Sequence, residues 1–223
     1  EPTRESIETA GLPEVSGDID QGDTLADVVA KISLAETMSI ADTAKTLSVE
    51  ALQRAVDAVC AAERVDVFGV GASSSVGEDL QQKLIRIGRT ALSWGSTHSA
   101  WTSAATLNER TVAIAVSHSG STMDTVEFLA MARSCGATTI AITNHSRSPL
   151  AAHADIVLTT AARETGFRSG ALGSRLAQLM VVDCLFIGVA QASFDQLMTA
   201  IRRTYAATHR LSASARPVLT SEE

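Results

Sequence analysis

The segment T-V-A-I-A-V-S-H-S-G-S-T, Thr111 to Thr122, decides the fold of this chain. Its first half, Thr111 to Val116, is a short run rich in β-branched residues, which predicts a fully buried strand. The segment after it, Met123 to Gly136, spaces apolar residues as a helix does and ends at a glycine suited to a left-handed cap. The hydroxyl-rich turn Ser117 to Thr122 therefore lies where a strand ends and a helix begins.

The same alternation of apolar runs and helical segments extends in both directions from this turn. Two helical segments, one from Leu25 and one from Ser48, come first. The other predicted strands are R-V-D-V-F-G-V from Arg64, T-A-L-S-W from Thr90, T-T-I-A-I-T from Thr138 and D-I-V-L-T-T from Asp155. Five short strands interleaved with helices predict an α/β fold, a three-layer sandwich with a five-stranded parallel sheet flanked by helices.

The ends of the chain are expected to lie outside this core. Residues 1–23 mix Pro, Gly and acidic residues without periodicity, which predicts a linker or extended arm. Helices predicted from Leu172 to Ala190 and from Phe194 to His209 close the core, and residues 212–223 read as a flexible tail. We therefore expect one domain over residues 24–211.

The charge of the chain argues against a nucleic-acid-binding surface of its own. The formal net charge is −7 and the pI is about 5.2, whereas affinity for a phosphate backbone depends on Lys and Arg. The chain also begins at Glu1 rather than at methionine, so we expect it to be a piece of a longer protein. Any DNA binding is then expected from a part that this sequence lacks.

Composition also bounds the compartment. We find no run of about eighteen uncharged apolar residues, and the first thirty residues are acidic, so neither a membrane span nor a signal peptide is predicted. The three cysteines are isolated, which fits a reducing compartment. We expect a cytoplasmic protein.

The apolar helices of residues 25–60 and 177–190 exceed what one five-stranded sheet can cover, which predicts a homodimer or a higher homo-oligomer.

Polar turns follow three of the predicted strands, at the sheet edge where ligands of open α/β folds bind. They are Gly69–Ser75, Ser117–Thr122 and Thr143–Leu150. The first does not fit a dinucleotide fingerprint, because Ser74 stands where the third glycine belongs. The chain also lacks a P-loop motif and paired histidine spacing, so we expect no cofactor and no metal.

Two interpretations of the turn Ser117–Thr122 follow from its residues. Serine and threonine cap helices, but a cap uses one or two hydroxyls and this turn has four. Backbone N–H groups at a helix start suit a phosphate, and hydroxyls that both donate and accept suit a polyol. The turns together predict a sugar-phosphate site, with a simple helix cap as the alternative.

Three segments resemble the successive signatures of the SIS (sugar isomerase) domain. They are G-V-G-A-S, S-H-S-G-S-T-M-D-T and I-T-N-H-S-R-S-P-L-A-A-H-A-D, within residues 64–160. In that family the S-x-S-G-x-T loop grips phosphate, so the resemblance implies phosphate contacts from Ser117, Ser119, Ser121 and Thr122, and a sugar or phosphate contact from Ser73. The remaining candidate ligand-binding residues are Ser74, Gly120, Ser148 and Glu164.

The flanking segments are similar to the effector domains of RpiR-type bacterial transcription regulators. In those proteins a helix-turn-helix domain precedes the SIS domain, and residues 1–23 would be the remnant of the linker. The resemblance implies a sensor of a phosphosugar that modulates DNA binding by the missing domain. One departure is the stretch G-S-T-H-S-A-W around His98, where the family often has an acid before the histidine, and it leaves the role of His98 open.

An isomerase is the alternative to a sensor, because many SIS domains are enzymes. Aldose–ketose isomerisation needs a base held against the substrate. Asp183 is the one acid in the helix Leu172–Ala190, and we expect a helix-face or interface carboxylate there rather than a base. Glu164 is the better candidate base, although it suits a hydrogen bond to a sugar hydroxyl as well. We expect a ligand sensor with no catalytic residue.

Overall fold

Five strands form one parallel sheet within residues 19–162 and 171–193, the part of the chain that the computed structural model describes. The strands are β1 (Arg64–Gly69), β2 (Ala91–Trp94), β3 (Thr111–Val116), β4 (Thr138–Thr143) and β5 (Ile156–Thr159). Their spatial order is β2-β1-β3-β4-β5, and every pair is parallel. The predicted sheet is thus confirmed, and its order places a topological switch point between β1 and β3.

Helices cover both faces of the sheet. In the described residues they are α1 (Leu25–Thr46), α2 (Val49–Ala61), α3 (Ala72–Arg86), α4 (Thr97–Ala104), α5 (Met123–Ser134), α6 (Pro149–Ala152) and α7 (Leu172–Ala192). Side chains of α2, α3 and α7 pack on one face, and side chains of α4, α5 and α6 pack on the other. This arrangement is the predicted three-layer sandwich.

The central strand β3 contributes larger apolar side chains to the core on one face of the sheet and alanines to the core on the other face. All six of its residues are buried. Val112, Ile114 and Val116 point into the core beneath α2, α3 and α7, whereas Ala113 and Ala115 point toward α4 and α5. Because successive side chains of a strand face opposite ways, the alternation fixes which face each helix covers. The strand is therefore enclosed on both faces, and the turn Ser117–Thr122 starts from its buried end.

The first helix does not lie on the sheet but packs against α7. It is also tied to the end of the last strand, because the Thr43 hydroxyl accepts a hydrogen bond from the backbone N–H of Ala161 at 3.0 Å. α7 is long and apolar enough to span a membrane by length and composition alone. Here it carries Arg175 and Asp183 and buries Val182 and Leu185 against its neighbours, as a core helix does.

The start of the third helix matters for the site. Apolar residues at helical spacing are found only from Val76 onward, but α3 begins at Ala72. Gly71 adopts φ +63, and the Ser73 N–H donates to the Val70 carbonyl at 3.3 Å and the Ser74 N–H to the Gly71 carbonyl at 3.0 Å. The glycine turns the chain at once into a helix. Serine is a weak helix former, so the pattern gave no sign of this first turn.

Several expectations concern residues outside the described ranges. They are residues 1–18 of the expected linker, Glu164, the helix predicted from Phe194 to His209, and the tail 212–223. The domain limits 24–211 therefore stay a prediction.

Candidate ligand-binding site

The ends of β1 and β3 place two of the polar turns side by side. Gly69 pairs with Val116 in the parallel register, so the chain leaves both strands at the same edge of the sheet. Between the turns lies a cleft of about 250 Å³. It is lined by Val70, Ala72, Ser73, Val116, Ser117, His118, Ser119, Thr122, Ala171 and Ser174. The cleft thus lies at the switch point, where ligands of such sheets bind.

Hydroxyl groups of the turn Ser117–Thr122 hold the turn itself in shape. Ser117 Oγ accepts a hydrogen bond from the Gly120 N–H at 3.2 Å and lies 3.3 Å from Thr122 Oγ1. Ser119 Oγ accepts from the backbone N–H of Ser121 at 3.2 Å and from its hydroxyl at 3.0 Å. The loop is therefore preorganised without a ligand, and the Ser119 side chain stands exposed at its tip.

The helices that begin at the cleft lack the caps found on the other described helices. Side-chain oxygens cap α1, α2, α4 and α6, and the capping residues are Thr24, Ser48, Ser96 and Ser148. No side chain caps α3, α5 or α7 among the described residues. The hydroxyls of Ser117–Thr122 thus do not act as the cap of α5, which speaks against the simple cap interpretation.

The chemistry of the cleft suits an anion bound by neutral groups. Its lining holds hydroxyls and one imidazole but, among the described residues, no Lys, Arg, Asp or Glu. α3 and α5 begin at the cleft wall. A helix start presents N–H donors and the positive end of the helix dipole, although the N–H groups of Ser73 and Ser74 bond to the carbonyls of Val70 and Gly71 in this structure. Such donors bind phosphate without a cationic side chain.

The third polar turn supports the second from behind rather than lining the cleft. Gly120 adopts φ +62, and a Cβ added to it would lie 2.2 Å from Ser148 Oγ and 2.8 Å from Thr143 Oγ1. The Leu150 N–H also donates to the Gly120 carbonyl at 2.9 Å. Ser148 itself is buried and caps α6 by accepting from the Ala151 N–H at 3.3 Å. Its expected ligand contact stays a prediction.

Some of the remaining candidate residues line the cleft and others do not. Ser73, Ser117, Ser119 and Thr122 line the cleft together. The Ser74 hydroxyl donates back to the Gly71 carbonyl at 2.7 Å. Ser74, the exposed Ser121 and the buried Gly120 are not among the lining residues, and their expected ligand contacts stay predictions.

Sequence reasoning did not name three polar residues at or next to the cleft as candidates. They are His118, Ser174 and, in contact with Ser73, Gln178. In the sequence, His118 lies between the candidate residues Ser117 and Ser119. The centre of its ring is 6.0 Å from the centre of the His145 ring. For Ser174 and Gln178 on α7, the one signal in the sequence is their four-residue spacing, which places both side chains on the same face of the helix.

Asp183 and His98 lie away from the cleft. Asp183 is 57% exposed and forms an ion pair with Lys83 of α3, which also binds Asp79. Burial lowers the pKa of Lys83, but its hydrogen bonds to Asp183 and Asp79 outweigh this effect and the pKa is raised. His98 is exposed on the first turn of α4 and is not part of the lining. Asp183 is thus an exposed carboxylate of α7 outside the cleft lining, as expected for a carboxylate that is not a base.

No arrangement suited to a metal ion occurs within residues 19–162 and 171–193, where three or more His, Cys, Asp or Glu side chains nowhere gather. The binding chemistry available in the cleft is hydrogen bonding from hydroxyls and backbone N–H groups.

Sequence comparison shows which known proteins this chain resembles. Residues 59–188 match the SIS domain. An uncharacterized HTH-type transcriptional regulator, TTE0211 of Caldanaerobacter subterraneus subsp. tengcongensis, is 38% identical over 86% of this chain and 68% of its own length. Sequence similarity therefore extends beyond the matched domain into the N-terminal helices.

Solved structures give the same picture. The Vibrio vulnificus NanR protein complexed with ManNAc-6P is 31% identical, with a TM-score of 0.78 over 83% of this chain and 70% of that chain. The sugar isomerase domain of an RpiR transcription factor from Sphaerobacter thermophilus is 28% identical, with a TM-score of 0.72 over 80% and 98%. A phosphoheptose isomerase from Francisella tularensis is 19% identical, a likeness that shows the fold alone.

Proposed function

This chain belongs to the SIS domain family, and we propose that it is the sugar-phosphate-sensing effector domain of a bacterial transcription regulator of carbohydrate metabolism. One observation carries the proposal: a preorganised serine loop and two uncapped helix starts meet in one cleft at the switch point of the sheet. Neutral donors there suit a phosphate, and hydroxyls beside them suit a sugar. The similarity to NanR complexed with ManNAc-6P supports this ligand class.

The regulatory role is supported by the relatives rather than by the cleft. TTE0211 and the Sphaerobacter protein are named as transcription regulators. This chain is acidic, with a net charge of −7, so DNA contacts are assigned to a helix-turn-helix part outside these 223 residues. Ligand binding would change operator affinity by favouring one of two states of the regulator, a coupling of typically about 1–3 kcal/mol.

The alternative function is a phosphosugar isomerase. An isomerase needs a base at the sugar carbons, and the described lining of the cleft holds no carboxylate. Glu164, outside the described residues, is the candidate that would supply one. Sensing is therefore proposed over catalysis, together with a cytoplasmic location and a homodimeric state.

A thermal-shift screen tests the ligand class. We would compare ManNAc-6P, glucose 6-phosphate and arabinose 5-phosphate with unphosphorylated ManNAc and inorganic phosphate. A ligand that binds only the folded state stabilises it, by about 2.7 kcal/mol at a hundred times its Kd. Phosphorylated sugars are expected to raise the melting temperature and ManNAc is not. If no phosphorylated compound raises it, the proposal is wrong.

The same compounds decide between sensor and enzyme. Each sugar phosphate is incubated with the protein and followed by NMR for interconversion of aldose and ketose. We expect none. Isomer formation that disappears in Glu164→Gln would establish the isomerase instead.

A further inference from the structure

The buried side-chain amide of Gln178 lies next to the cleft, and only one of its two polar atoms has a hydrogen-bond partner in the described structure. Gln178 of α7 is 1% exposed. Its Oε1 accepts a hydrogen bond from Ser73 Oγ at 3.2 Å, whereas its Nε2 has no hydrogen-bond partner in the described structure. A buried donor without a partner costs about 1–3 kcal/mol, so this arrangement calls for an explanation.

The position of Gln178 links it to the ligand rather than to the general core. It contacts Ser73, which lines the cleft from the first turn of α3. It also follows Ser174 by four residues, and Ser174 lines the cleft from α7. Residues four apart share one face of a helix. Gln178 thus lies immediately behind the cleft wall, with Ser73 between it and the space for a ligand.

The hydrogen bond between Ser73 and Gln178 determines whether the Ser73 hydroxyl can donate to an anion. A serine hydroxyl carries one hydrogen. While Ser73 donates that hydrogen to Gln178 Oε1, its oxygen has only lone pairs to present to the cleft, and a phosphate oxygen has no use for them. Half a turn of the amide exchanges its oxygen and nitrogen. Nε2 then donates to Ser73 Oγ, and the Ser73 hydrogen is released toward the cleft.

We propose that Gln178 is a positioning residue for the phosphate group of the ligand: its Nε2 donates to Ser73 Oγ, so that the Ser73 hydroxyl donates to a phosphate oxygen. The turned amide gives Nε2 its partner and leaves Oε1 unpaired instead, so one buried polar atom of Gln178 is unpaired in either orientation. It also makes Ser73 a donor that complements those of the loop Ser117–Thr122. This inference rests on the proposed function, because it assumes an anionic group in the cleft.

A double-mutant cycle tests the inference. Binding of inorganic phosphate and of ManNAc-6P is measured by calorimetry for the wild type, Gln178→Met, Ser73→Ala and the double variant. We expect Gln178→Met to weaken binding of both compounds about three- to tenfold, because the Ser73 hydroxyl keeps its hydrogen but is no longer oriented toward the ligand before binding. In the Ser73→Ala background the same substitution should change affinity less than twofold, because residues that act through one another are not additive.

A second variant guards against a folding defect in Gln178→Met. Gln178→Leu removes the amide in a second way, with an apolar side chain that neither donates nor accepts a hydrogen bond, and it adds no charge next to the ligand. It should weaken binding of both compounds about as much as Gln178→Met does. Melting temperatures of all variants are measured without ligand, because a merely structural role would lower them and leave the affinity of the folded fraction unchanged.

The outcomes separate this inference from the function on which it rests. A wild type that binds none of the phosphorylated sugars of the thermal-shift screen contradicts the proposed function and the inference with it. A wild type that binds, with unchanged affinity in both Gln178 variants, contradicts the inference alone. An equal loss with and without Ser73 would mean that Gln178 acts independently of Ser73, which also overturns it.

Discussion

Gly120 and Ser148 lie so close together that the glycine has no room for a side chain: a Cβ on Gly120 would stand 2.2 Å from Ser148 Oγ and 2.4 Å from Ser148 Cβ. The serine belongs to the cap of α6 and the glycine to the loop at the cleft. The loop is therefore built against the end of the neighbouring strand, and its shape depends on that contact.

Gly120→Ala should destabilise the fold and weaken phosphosugar binding together. The substitution meets the Ser148 contact and also a φ of +62, a conformation that costs an L-residue about 1–2 kcal/mol before any clash is counted. We expect the free energy of unfolding to fall by about 2 kcal/mol or more, measured in denaturant melts, and the Kd for ManNAc-6P to rise.

Gly95→Ala is the matched control, because Gly95 has nothing within 4 Å of its added Cβ and no positive φ. It should change neither quantity appreciably. Equal effects of the two substitutions would mean that the packing of the loop on Ser148 has no special role.

Ser119→Ala should weaken ligand binding and spare stability. Ser119 is exposed at the tip of the loop and caps no helix. If its hydroxyl donates to a phosphate, the bond contributes about 1.5–3 kcal/mol, which is roughly a ten- to hundredfold loss of affinity. Calorimetry with ManNAc-6P measures the affinity, and denaturant melts of the free protein measure the stability.

Ser48→Ala should show the reverse pattern. Ser48 caps α2 by accepting from the Ala51 N–H at 3.1 Å and is not part of the cleft lining. Losing such a cap costs about 0.5–2 kcal/mol of stability, with affinity unchanged. Lost stability and unchanged affinity in Ser119→Ala as well would show that its hydroxyl serves the fold and not the ligand.

Asp66→Ala should be among the most damaging substitutions outside the site. The Asp66 side chain is fully buried and accepts from Arg64 Nε at 2.5 Å, Trp94 Nε1 at 2.8 Å and Ser103 Oγ at 2.5 Å. Its loss leaves Arg64 without its carboxylate, and breaking such a pair costs about 3–5 kcal/mol. Chemical denaturation measures the loss.

Glu63→Ala removes a carboxylate three residues away that is 59% exposed and pairs with Arg110. Exposed pairs contribute only about 0–1 kcal/mol. A comparable loss in both variants would contradict the importance assigned to burial.

Acid should remove the contribution of the Asp27 carboxylate to the start of α1. Hydrogen bonds from the Thr24 hydroxyl, at 2.6 Å, and from the Thr24 N–H, at 2.9 Å, lower the pKa of Asp27 below its ordinary value of 3.8. A carboxyl whose pKa is lowered by folding stabilises the protein above its unfolded-state pKa, and this is lost as pH falls through the folded value. The stability of the wild type relative to Asp27→Asn should therefore be higher at pH 7 and converge below about pH 3.8.

Thermal melts followed by circular dichroism between pH 7 and pH 3 give this comparison. Glu36→Gln serves as the control on the same helix, because Glu36 makes no hydrogen bond or ion pair in the described structure. A difference between the wild type and Asp27→Asn that does not change with pH would refute the assignment.

The purified chain should be a homodimer. Apolar side chains of α1 and α7 stand exposed, with Leu25 at 84%, Val29 at 69% and Ile187 at 52%, and contiguous apolar surface on a soluble protein marks an interface. Light scattering at micromolar concentration should give about twice the chain mass of 23.3 kDa. A mass of one chain would contradict this prediction.

Local sequence determined the elements of this fold and the class of its site. Apolar runs such as Thr111–Val116 are buried on both faces, so their composition alone marks them as parallel strands. Polar turns after those strands mark the ligand edge, because that edge is a property of every parallel sheet. Ser73, Ser117, Ser119 and Thr122 could thus be predicted, and the structure brings them together in one cleft.

Only the tertiary structure decided which residues reach the cleft and which stand behind it. Ser148 and Ser119 have the same side chain in similar turns, yet one packs beneath Gly120 and the other is exposed. Gln178 is 105 residues from Ser73 in sequence, and no local pattern reports that contact. Periodicity records which face of an element is buried, but the partner on that face is set by strand order and helix packing, which join residues that are distant along the chain.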